Sequence, residues 1–394
     1  MIKSVEIENF KAIQKGKVEL TPLTCFIGYN GVGKSSLLEA LETYKVIVTE
    51  GLNAGMAMHR GFEHIYYKGG KEKRWFGEGE VRMEYAPLRL AIYFEGEPYD
   101  GVAESEIAQR ENGKQITFFI SEKVHGIVER PQLDGMSILY RTVGISRLLD
   151  KCFDFNYEFE VGTEYLIHPN ESIVAKGWLG ELFQSWQFLN MNTFLMGNPI
   201  PQRRTGGEIV LAKDGSNIAE YLLAIREASP EVFEGIIETL QYVLPYAQDL
   251  QPSLTSELER LVYVQLSEED FKVPGWLLST GTLKLLALLA VFRNPNPSPL
   301  IVIEELENGL DPRSINLIVN EIREFVKDKD SQVIITTHSP YLLDLLHLSQ
   351  IVFVEREEGK VVFKRPYDSE QLKAWSKEYT IGEMYTKELI QRFS

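Results

Sequence analysis

Cysteine is scarce in this chain: Cys25 and Cys152 are the two cysteines among 394 residues. Two distant cysteines do not provide the disulfide framework that stabilises small secreted domains. Neither has a metal-binding neighbour at the usual spacing, and the six histidines are scattered along the sequence. These absences argue against a secreted disulfide scaffold and against a zinc site, and they favour a cytoplasmic location.

Long apolar runs are also missing. No stretch of about 18 consecutive apolar residues occurs, so the sequence predicts no membrane-spanning helix and no membrane partner. The opening residues, MIKSVEIENFKAI, alternate as a strand does and lack the apolar centre of a signal peptide. Hydrophobic residues still make up 44% of the chain, enough for two to three domains or one large α/β domain with insertions.

Positive charge is in deficit, and the formal net charge is −16. A protein that coats nucleic acid through bulk charge is usually basic, so general DNA coating is disfavoured. Local basic patches stay possible, because attraction depends on how the charges are distributed. Two loops, Lys68–Arg74 and Arg203–Arg204, could contact a nucleic-acid backbone; the alternative is that both are solvated loops.

What the sequence does contain is a complete phosphate-binding loop, GYNGVGKSS. Its glycines let backbone N–H groups form a concave nest, Lys34 supplies charge to the β- and γ-phosphates, and the Ser35 hydroxyl can ligate Mg²⁺. An apolar run, LTCFIG, leads into the loop and a helix-forming run, SLLEAL, follows it, as a genuine P-loop requires. The predicted nucleotide-binding residues are Gly28, Tyr29, Asn30, Gly31, Val32, Gly33, Lys34, Ser35 and Ser36.

Apolar periodicity predicts an α/β fold with a mixed sheet. Short strands between about residues 75 and 167 indicate an antiparallel lobe. Three helical patterns follow, LGELFQSWQFLN, SNIAEYLLAIREA and PEVFEGIIETLQYVL, and in the second Asn217 and Glu220 have capping-box spacing. GTLKLLALLAVF then predicts a buried helix, and PLIVIEE, SQVIITTH and QIVFVERE predict parallel strands covered on both faces. The predicted domains are 1–170, 171–275 as a helical insertion, and 276–394.

Three later segments carry residues suited to nucleotide chemistry. LLSTGTLKLLAL places Ser279 and Gly281 at the start of the buried helix. In LIVIEELENGLDP an apolar strand ends in Glu304 and Glu305, and VIITTHSP ends a strand in His338. Each segment alone could be a helix cap, a solvated helix start or a structural histidine. Their occurrence in this order after a P-loop indicates a joint role.

Together these motifs resemble the ABC-type ATPase head of the RecF, OLD and structural-maintenance-of-chromosomes (SMC) relatives. VEIENFKAI, the P-loop with Asn30, and LSTGTLKLLAL are typical of that group. IEELENGL resembles the Walker B segment of compact predicted ATPases, I-E-E-x-E-N-G-L. The resemblance covers roughly residues 1–50 and 200–394, and it implies a P-loop NTPase fold of ABC-head type.

The resemblance also implies roles for the motif residues. Glu304 takes the place of the carboxylate that, with Ser35, supports Mg²⁺; the wider superfamily has aspartate there, so the extra methylene is a departure. Glu305 takes the place of the base that polarises the attacking water, and His338 that of a switch histidine at the γ-phosphate. The glutamine that usually links the two lobes cannot be assigned among the several in the middle region.

An ATP-dependent, head-to-tail homodimer is a further implication. In the family the signature motif, here Ser279 and Gly281, contacts ATP that is bound to the other subunit. The loop that crosses between subunits, called the D-loop below, corresponds to Asn308, Gly309, Leu310 and Asp311. About 56 residues follow His338 and include no acidic cluster of Toprim type, so we expect a nuclease or toxin effector to be a separate protein.

Three other functions stay open from the residues. A RecF-like DNA-repair or DNA-binding ATPase is opposed by the net charge of −16, and a long-armed one by the lack of heptads. A transporter's nucleotide-binding subunit is opposed by the long separation of Ser35 and Ser279 and by the lack of a clear adenine-stacking aromatic. A regulator that binds nucleotide without hydrolysis is supported by Glu304 alone.

Overall fold

A computed structural model describes most of the chain: residues 1–69, 74–75, 82–83, 86–95, 100–111, 115–127, 136–142, 157–159, 172, 174, 178–203, 209–256, 259–268, 271–328 and 331–390. Within these ranges no helix is long and apolar enough to cross a membrane. Most of the loop at 68–74 and Arg204 of the second basic loop fall outside the described residues.

The described elements include runs of consecutive strands, such as β4 to β10 below, and runs of consecutive helices. The strands are β1 (Ile2–Phe10), β2 (Ile13–Glu19), β3 (Leu23–Ile27), β4 (Arg74–Trp75), β5 (Arg82–Met83), β6 (Leu88–Phe94), β7 (Asp100–Glu111), β8 (Gln115–Ile127), β9 (Met136–Thr142), β10 (Tyr157–Phe159), β11 (Gln187–Leu189), β12 (Ile200–Pro201), β13 (Ala247–Leu254), β14 (Leu261–Glu268), β15 (Phe271–Pro274), β16 (Leu300–Ile303), β17 (Gln332–Thr336), β18 (Ile351–Glu357) and β19 (Lys360–Lys364). The helices are α1 (Lys34–Glu50), α2 (Leu52–Ala57), α3 (Phe62–Ile65), α4 (Trp178–Gln184), α5 (Thr193–Met196), α6 (Ile218–Ala228), α7 (Pro230–Val243), α8 (Thr280–Arg293), α9 (Pro312–Asp328), α10 (Pro340–Asp344), α11 (Glu370–Trp375) and α12 (Ile381–Thr386).

A six-stranded sheet in the order β11-β16-β17-β3-β18-β19 forms the centre of the fold. Its first five strands are parallel, and β19 runs antiparallel to β18. Successive residues of β3 enter different hydrophobic clusters: Cys25 and Ile27 pack with the helical layer, and Phe26 packs with the antiparallel lobe. Burial on both faces explains why these strands are continuous Val/Ile runs, as the sequence predicted.

A seven-stranded antiparallel sheet, in the order β10-β9-β8-β7-β6-β1-β2, forms the predicted antiparallel lobe. Strand β1 is joined to the central sheet through Gln332 at the start of β17. The Gln332 side chain accepts from the Ile2 N–H at 2.8 Å and donates to the Ile2 carbonyl at 2.7 Å. This buried amide satisfies the backbone of one strand from the side chain of another, and so fixes the lobe beside the parallel sheet.

The segment 171–275 is helical in part. Helices α6 and α7 match two predicted patterns, but a sheet formed by β12–β15 was not predicted. The predicted helix LGELFQSWQFLN is wrong in its second half, because α4 ends at Gln184 and β11 follows. β11 pairs in parallel with β16, so the central sheet takes strands from all three predicted domains. The domain boundaries stay a prediction.

The predicted capping box at the start of α6 is also wrong. The Asn217 side chain accepts from the Ala212 N–H at 2.7 Å and donates to the Val210 carbonyl, so it closes the preceding loop. The buried Glu220 carboxylate accepts from the Arg203 N–H at 2.7 Å. Both side chains satisfy polar groups of other segments and leave the helix end without a side-chain cap.

Candidate active site

The P-loop connects β3 to α1, as the sequence predicted. Gly28 has φ of 144°, and a Cβ atom there would lie 2.1 Å from the Val354 carbonyl oxygen. Only glycine tolerates both this backbone conformation and this close approach to β18. The loop therefore packs closely against β18. As a result, the N-terminus of α1 lies at the carboxyl edge of the central sheet.

Lys34 is buried at the start of α1, with its ammonium inside the P-loop. Nζ donates to the carbonyl oxygens of Gly28 at 2.6 Å and Tyr29 at 2.9 Å. Burial lowers the pKa of Lys34 below its usual range, although the nearby carboxylates of Glu305 and Glu307 oppose that change. A triphosphate bound in the loop would place anionic oxygens next to this desolvated ammonium group, and the two could form charge-assisted hydrogen bonds.

One cleft brings the predicted nucleotide and hydrolysis residues together. It is formed by the P-loop and by the ends of β16 and β17, where the parallel strands reach the same edge. Its lining residues are Asn30, Gly31, Gly33, Lys34, Ser35, Ser36, Glu304, Glu305, Thr336 and His338. Tyr29 and Val32 line a second cavity on the β18 side of the loop.

Glu304 follows directly after β16 and is half-buried. Its backbone N–H donates to the Leu189 carbonyl at 3.1 Å, and its Oε2 atom accepts from Asn190 Nδ2 at 3.2 Å. Burial raises the pKa of the Glu304 carboxyl; Lys213 opposes this change, and Glu39 and Glu42 reinforce it. A half-buried carboxylate near other carboxylates is well placed to bind a cation, because the cation would offset both the burial and the repulsion between like charges.

The residues fit Mg²⁺. The ion takes hard oxygen ligands in an octahedral shell, and in nucleotide sites it is held by one or two carboxylates together with phosphate oxygens. The Ser35 hydroxyl and the Glu304 carboxylate line the same cleft as Lys34. Within the described residues no three His, Cys, Asp or Glu side chains form a closed metal cage, so phosphate oxygens would complete the shell.

Glu305 is exposed at the mouth of the cleft and has an unusual backbone conformation. Its φ is 48°, in the left-handed region that residues other than glycine, asparagine and aspartate rarely occupy. The Glu305 N–H donates to Thr336 Oγ1 at 2.9 Å, and its carbonyl oxygen accepts from Lys284 Nζ at 2.9 Å. Asn308 Nδ2 donates to the carboxylate itself. The backbone of Glu305 is therefore held by side chains from β17 and α8, and its carboxylate by Asn308 of the same turn.

His338 is half-buried and lies two residues after the end of β17. Its backbone N–H donates to Glu307 Oε1 at 2.7 Å, while Glu307 Oε2 is a buried atom without a hydrogen-bond partner in the described part of the chain. Burial lowers the pKa of the His338 imidazole, and the charge of Lys34 acts in the same direction. A lowered pKa keeps the ring neutral at pH 7, so one ring nitrogen can donate to a phosphate oxygen.

Comparisons with known proteins agree with this geometry. Residues 220–344 match the family model described as "AAA domain, putative AbiEii toxin, Type IV TA system", and residues 1–46 match the model "AAA ATPase domain". The chain is similar to an ATP/GTP phosphatase from Helicobacter pylori, with 21% identity over 94% of this chain and 97% of the relative. The two family-model matches and the phosphatase relative support ATPase activity for this chain.

Other similarities of this ATPase are local, or concern the fold alone. It is 32% identical to endonuclease MutS2 from Lactobacillus acidophilus over 99 residues, which is 25% of this chain and 12% of the relative. An Smc head bound to the C-winged helix domain of ScpA has a TM-score of 0.52 at 15% identity, covering 92% of this ATPase and 97% of that chain. An Smc head derived from Pyrococcus furiosus gives 0.51 at 15% identity, with 95% and 98% coverage. The fold is that of an ABC-type ATPase head.

The predicted signature motif, Ser279 and Gly281, lies outside the residues that line the cleft. Ser279 is exposed and caps α8, where its Oγ atom accepts from the Thr282 N–H at 3.0 Å. Neither Ser279 nor Gly281 is among the residues that line the cleft of the P-loop. A Cβ atom on Gly281 would lie 2.5 Å from the Gly309 carbonyl oxygen, so the signature packs directly on the D-loop.

The D-loop is solvent-facing at Asn308, Gly309 and Asp311, whereas Leu310 is half-buried. The Asp311 carboxylate accepts from the Arg313 N–H at 2.8 Å and from Ser314 Oγ at 2.6 Å, and it thereby caps α9. Hydrogen bonding from Ser314 lowers the pKa of Asp311. The aspartate thus has a structural role that the sequence did not predict, and its predicted place at a subunit interface stays a prediction.

The C-terminal segment contacts both α10 and the P-loop. Asp344, in the helix that follows the switch histidine, accepts from the Gly382 N–H at 2.7 Å. Tyr29 of the P-loop donates to Glu388 Oε1 at 3.1 Å. The tail YTIGEMYTKELI, whose role the sequence left open, therefore packs between α10 and the tip of the P-loop.

Four residues of the site were missed from the sequence: Asn190, Lys284, Glu307 and Thr336. Asn190 follows β11, which pairs with β16, in the middle region where a lobe-linking glutamine was expected. Lys284 interrupts an otherwise apolar helix, and Glu307 is a third acid in IEELE. Those two departures from pattern were visible in the sequence and could have identified the residues.

Proposed function

We propose that this ATPase is a dimeric, Mg²⁺-dependent ATP switch that controls a separate effector protein. The observation that carries the proposal is the separation of its two nucleotide-binding surfaces. Lys34, Glu304 and His338 share one cleft, whereas Ser279 lies exposed at the N-terminus of α8 on a different surface. A head-to-tail dimer would bring the signature of one chain to the phosphates of the other, and twofold symmetry would create two equivalent sites.

Hydrolysis would use the residues of the cleft in distinct roles. The P-loop amides and Lys34 bind the β- and γ-phosphates. Ser35 and Glu304 would hold Mg²⁺, which would neutralise part of the phosphate charge. Glu305 accepts a proton from the attacking water, and neutral His338 donates to a γ-phosphate oxygen. The partner's signature completes the site, so ATP would hold the dimer closed until it is cleaved.

The toxin–antitoxin description of one family model motivates the effector. That model covers residues 220–344, which include α7, α8, Walker B and the switch histidine. An effector nuclease or toxin, as in an antiviral defence system, would sense whether the dimer is open or closed. Affinity purification of a trapped Glu305→Gln dimer from its native cells tests this part: a nuclease or toxin chain is the expected copurifying protein.

A DNA-acting ATPase is the second candidate. It is motivated by the local similarity to MutS2 and to a chromosome partition protein Smc from Methanocaldococcus jannaschii, 32% identical over 81 residues, 21% of this chain and 7% of the relative. The chain thus spans a small part of these two relatives. Arg203 lies 3.6 Å from a Glu220 carboxylate oxygen, which compensates part of its charge. DNA without a protein effector in the same purification would favour this candidate.

Complementation between two inactive variants tests the dimer. Ser279→Arg should bind ATP without completing a site, and Lys34→Ala should not hold ATP. Random mixing makes about half of the dimers mixed, each with one intact composite site, so turnover should rise to at most about a quarter of wild type. Lys327→Ala is the matched control, because Lys327 is exposed on α9, and it should keep wild-type turnover. No rescue, with mixed dimers demonstrated by tagged copurification, would indicate a self-contained ATPase.

A further inference from the structure

The signature helix touches the segment that carries the predicted base at two points. At its first turn, Gly281 approaches the Gly309 carbonyl so closely that a Cβ atom would lie 2.5 Å from that oxygen. One turn further along, Lys284 Nζ donates to the Glu305 carbonyl at 2.9 Å. Helix α8 therefore contacts both ends of the 305–309 turn.

Glu305 needs external support to keep its conformation. A glutamate with φ of 48° is held in a sparsely populated, strained region, and such a conformation persists only where surrounding contacts hold it in place. Two side chains supply the restraint: Thr336 accepts from the N–H of Glu305, and Lys284 donates to its carbonyl. The peptide groups on either side of the strained Cα are thus fixed from two different elements.

The fold alone gives no reason for a lysine at this position. Lys284 is 4% exposed, and the surrounding residues Leu283, Leu285 and Leu286 are buried and apolar. An apolar side chain would avoid the cost of desolvating an ammonium group. The Lys284 ammonium group donates its hydrogen bond to the backbone carbonyl of Glu305. The nearby carboxylates of Glu307 and Glu305 favour the charged form of this lysine.

We propose that Lys284 is a positioning residue for hydrolysis: it anchors the Glu305 peptide to the signature helix and so aims the Glu305 carboxylate at the attacking water. Lys284 does not touch the nucleotide and is not a lining residue of the cleft. It acts through Glu305, so its loss should slow the chemical step and leave nucleotide binding intact. The inference rests on the proposed function, because it takes Glu305 as the base.

The first experiment compares Lys284→Met with wild type and with Arg293→Met. The methionine fills similar space without the donor. Arg293 is a matched control: it lies on the same helix and pairs with Glu321, away from the cleft. Misplacing a catalytic group by about 1 Å can cost about 10²-fold, so Lys284→Met should lower kcat by about 10- to 100-fold. Its ATP dissociation constant should stay within about twofold of wild type. Arg293→Met should keep wild-type kcat.

The second experiment is a double-mutant cycle with Glu305→Gln, followed with radiolabelled ATP so that residual turnover is measurable. If Lys284 acts through Glu305, adding Lys284→Met to Glu305→Gln should lower turnover by less than about twofold. A merely structural role would give a second loss of the full size, and that multiplicative result would overturn the proposal. If Lys284→Met does not fold, Lys284→Leu carries the same cycle, because leucine has no hydrogen-bond donor.

The failures of the two proposals are distinguishable. Wild-type turnover in Glu305→Gln would remove the base assignment of the proposed function, whatever Lys284 does. Loss of turnover in Glu305→Gln together with wild-type kcat in Lys284→Met would leave that assignment standing and would overturn the positioning role of Lys284.

Discussion

Lys284 should make the stability of the fold depend on pH in a window that few other groups occupy. Burial lowers the pKa of Lys284 from its ordinary value of 10.5 to about 8, although the charges of Glu307 and Glu305 oppose the change. Between these two pH values the unfolded chain binds the proton and the folded chain does not. The free energy of unfolding therefore rises with pH across that window, and it is insensitive to this group below about pH 8 and above about pH 10.5.

The magnitude follows from the difference between the two pKa values. At about 1.36 kcal/mol per pH unit, the fall from 10.5 to about 8 corresponds to about 3 kcal/mol. The residue is almost fully buried, so solvent screening reduces this figure little. Relative to Lys284→Met, the wild-type chain should gain about 3 kcal/mol of stability between about pH 8 and about pH 10.5.

The assay is denaturant unfolding of the nucleotide-free ATPase across that pH range, with Lys284→Met and Arg293→Met measured beside it. Subtracting the variant removes the contributions of every other titrating group, including Lys34. The wild-type minus Arg293→Met difference should be flat, because a guanidinium stays charged throughout. A wild-type minus Lys284→Met difference that is equally flat, within about 0.5 kcal/mol, would refute the buried-ammonium argument.

Three further predictions concern the nucleotide site. Lys34→Ala should weaken ATP binding severely because the P-loop loses its cation, and a fluorescent-nucleotide titration with near-normal affinity would contradict this. Glu305→Gln should keep ATP binding and lose about 10²-fold or more of turnover in a phosphate-release assay, since an amide cannot accept a proton. If Glu304→Gln abolished turnover and Glu305→Gln did not, the two roles would be reversed. Gly28→Ala should lower both ATP affinity and melting temperature, because its Cβ atom would lie 2.1 Å from the Val354 carbonyl oxygen; unchanged values of both would show that the loop can relax.

Much of the fold could be predicted because the relevant information is local. The P-loop, the apolar strands around it and the buried helix α8 each show a pattern that fixes element type without knowledge of neighbours. The order of motifs predicted a joint role for their residues, and in the structure the carboxyl ends of the parallel strands that carry them lie at one edge. The cleft that contains Lys34, Glu304 and His338 confirms this placement, and their catalytic roles stay predictions.

The remainder could not be predicted because distant partners decide it. Within WQFLN, the residues Gln187–Leu189 form the strand β11 through pairing with β16, although the same letters continue a helical pattern. Glu220 was taken for a cap and is instead bonded to the backbone of Arg203. Glu307 looks like one more surface acid until β17 brings the His338 N–H within 2.7 Å of it. In each case a contact distant in sequence overrides the local preference.

The left-handed backbone conformation of Glu305 implies a trade-off at this position between the stability of the fold and the rate of ATP hydrolysis. Glycine or asparagine at position 305 would adopt φ of 48° with less strain, so a selection for thermal stability alone should favour them there. Either change removes the carboxylate that we propose as the base. Thermostable descendants of this ATPase obtained without an activity screen should therefore accumulate ATP-binding, non-hydrolysing forms.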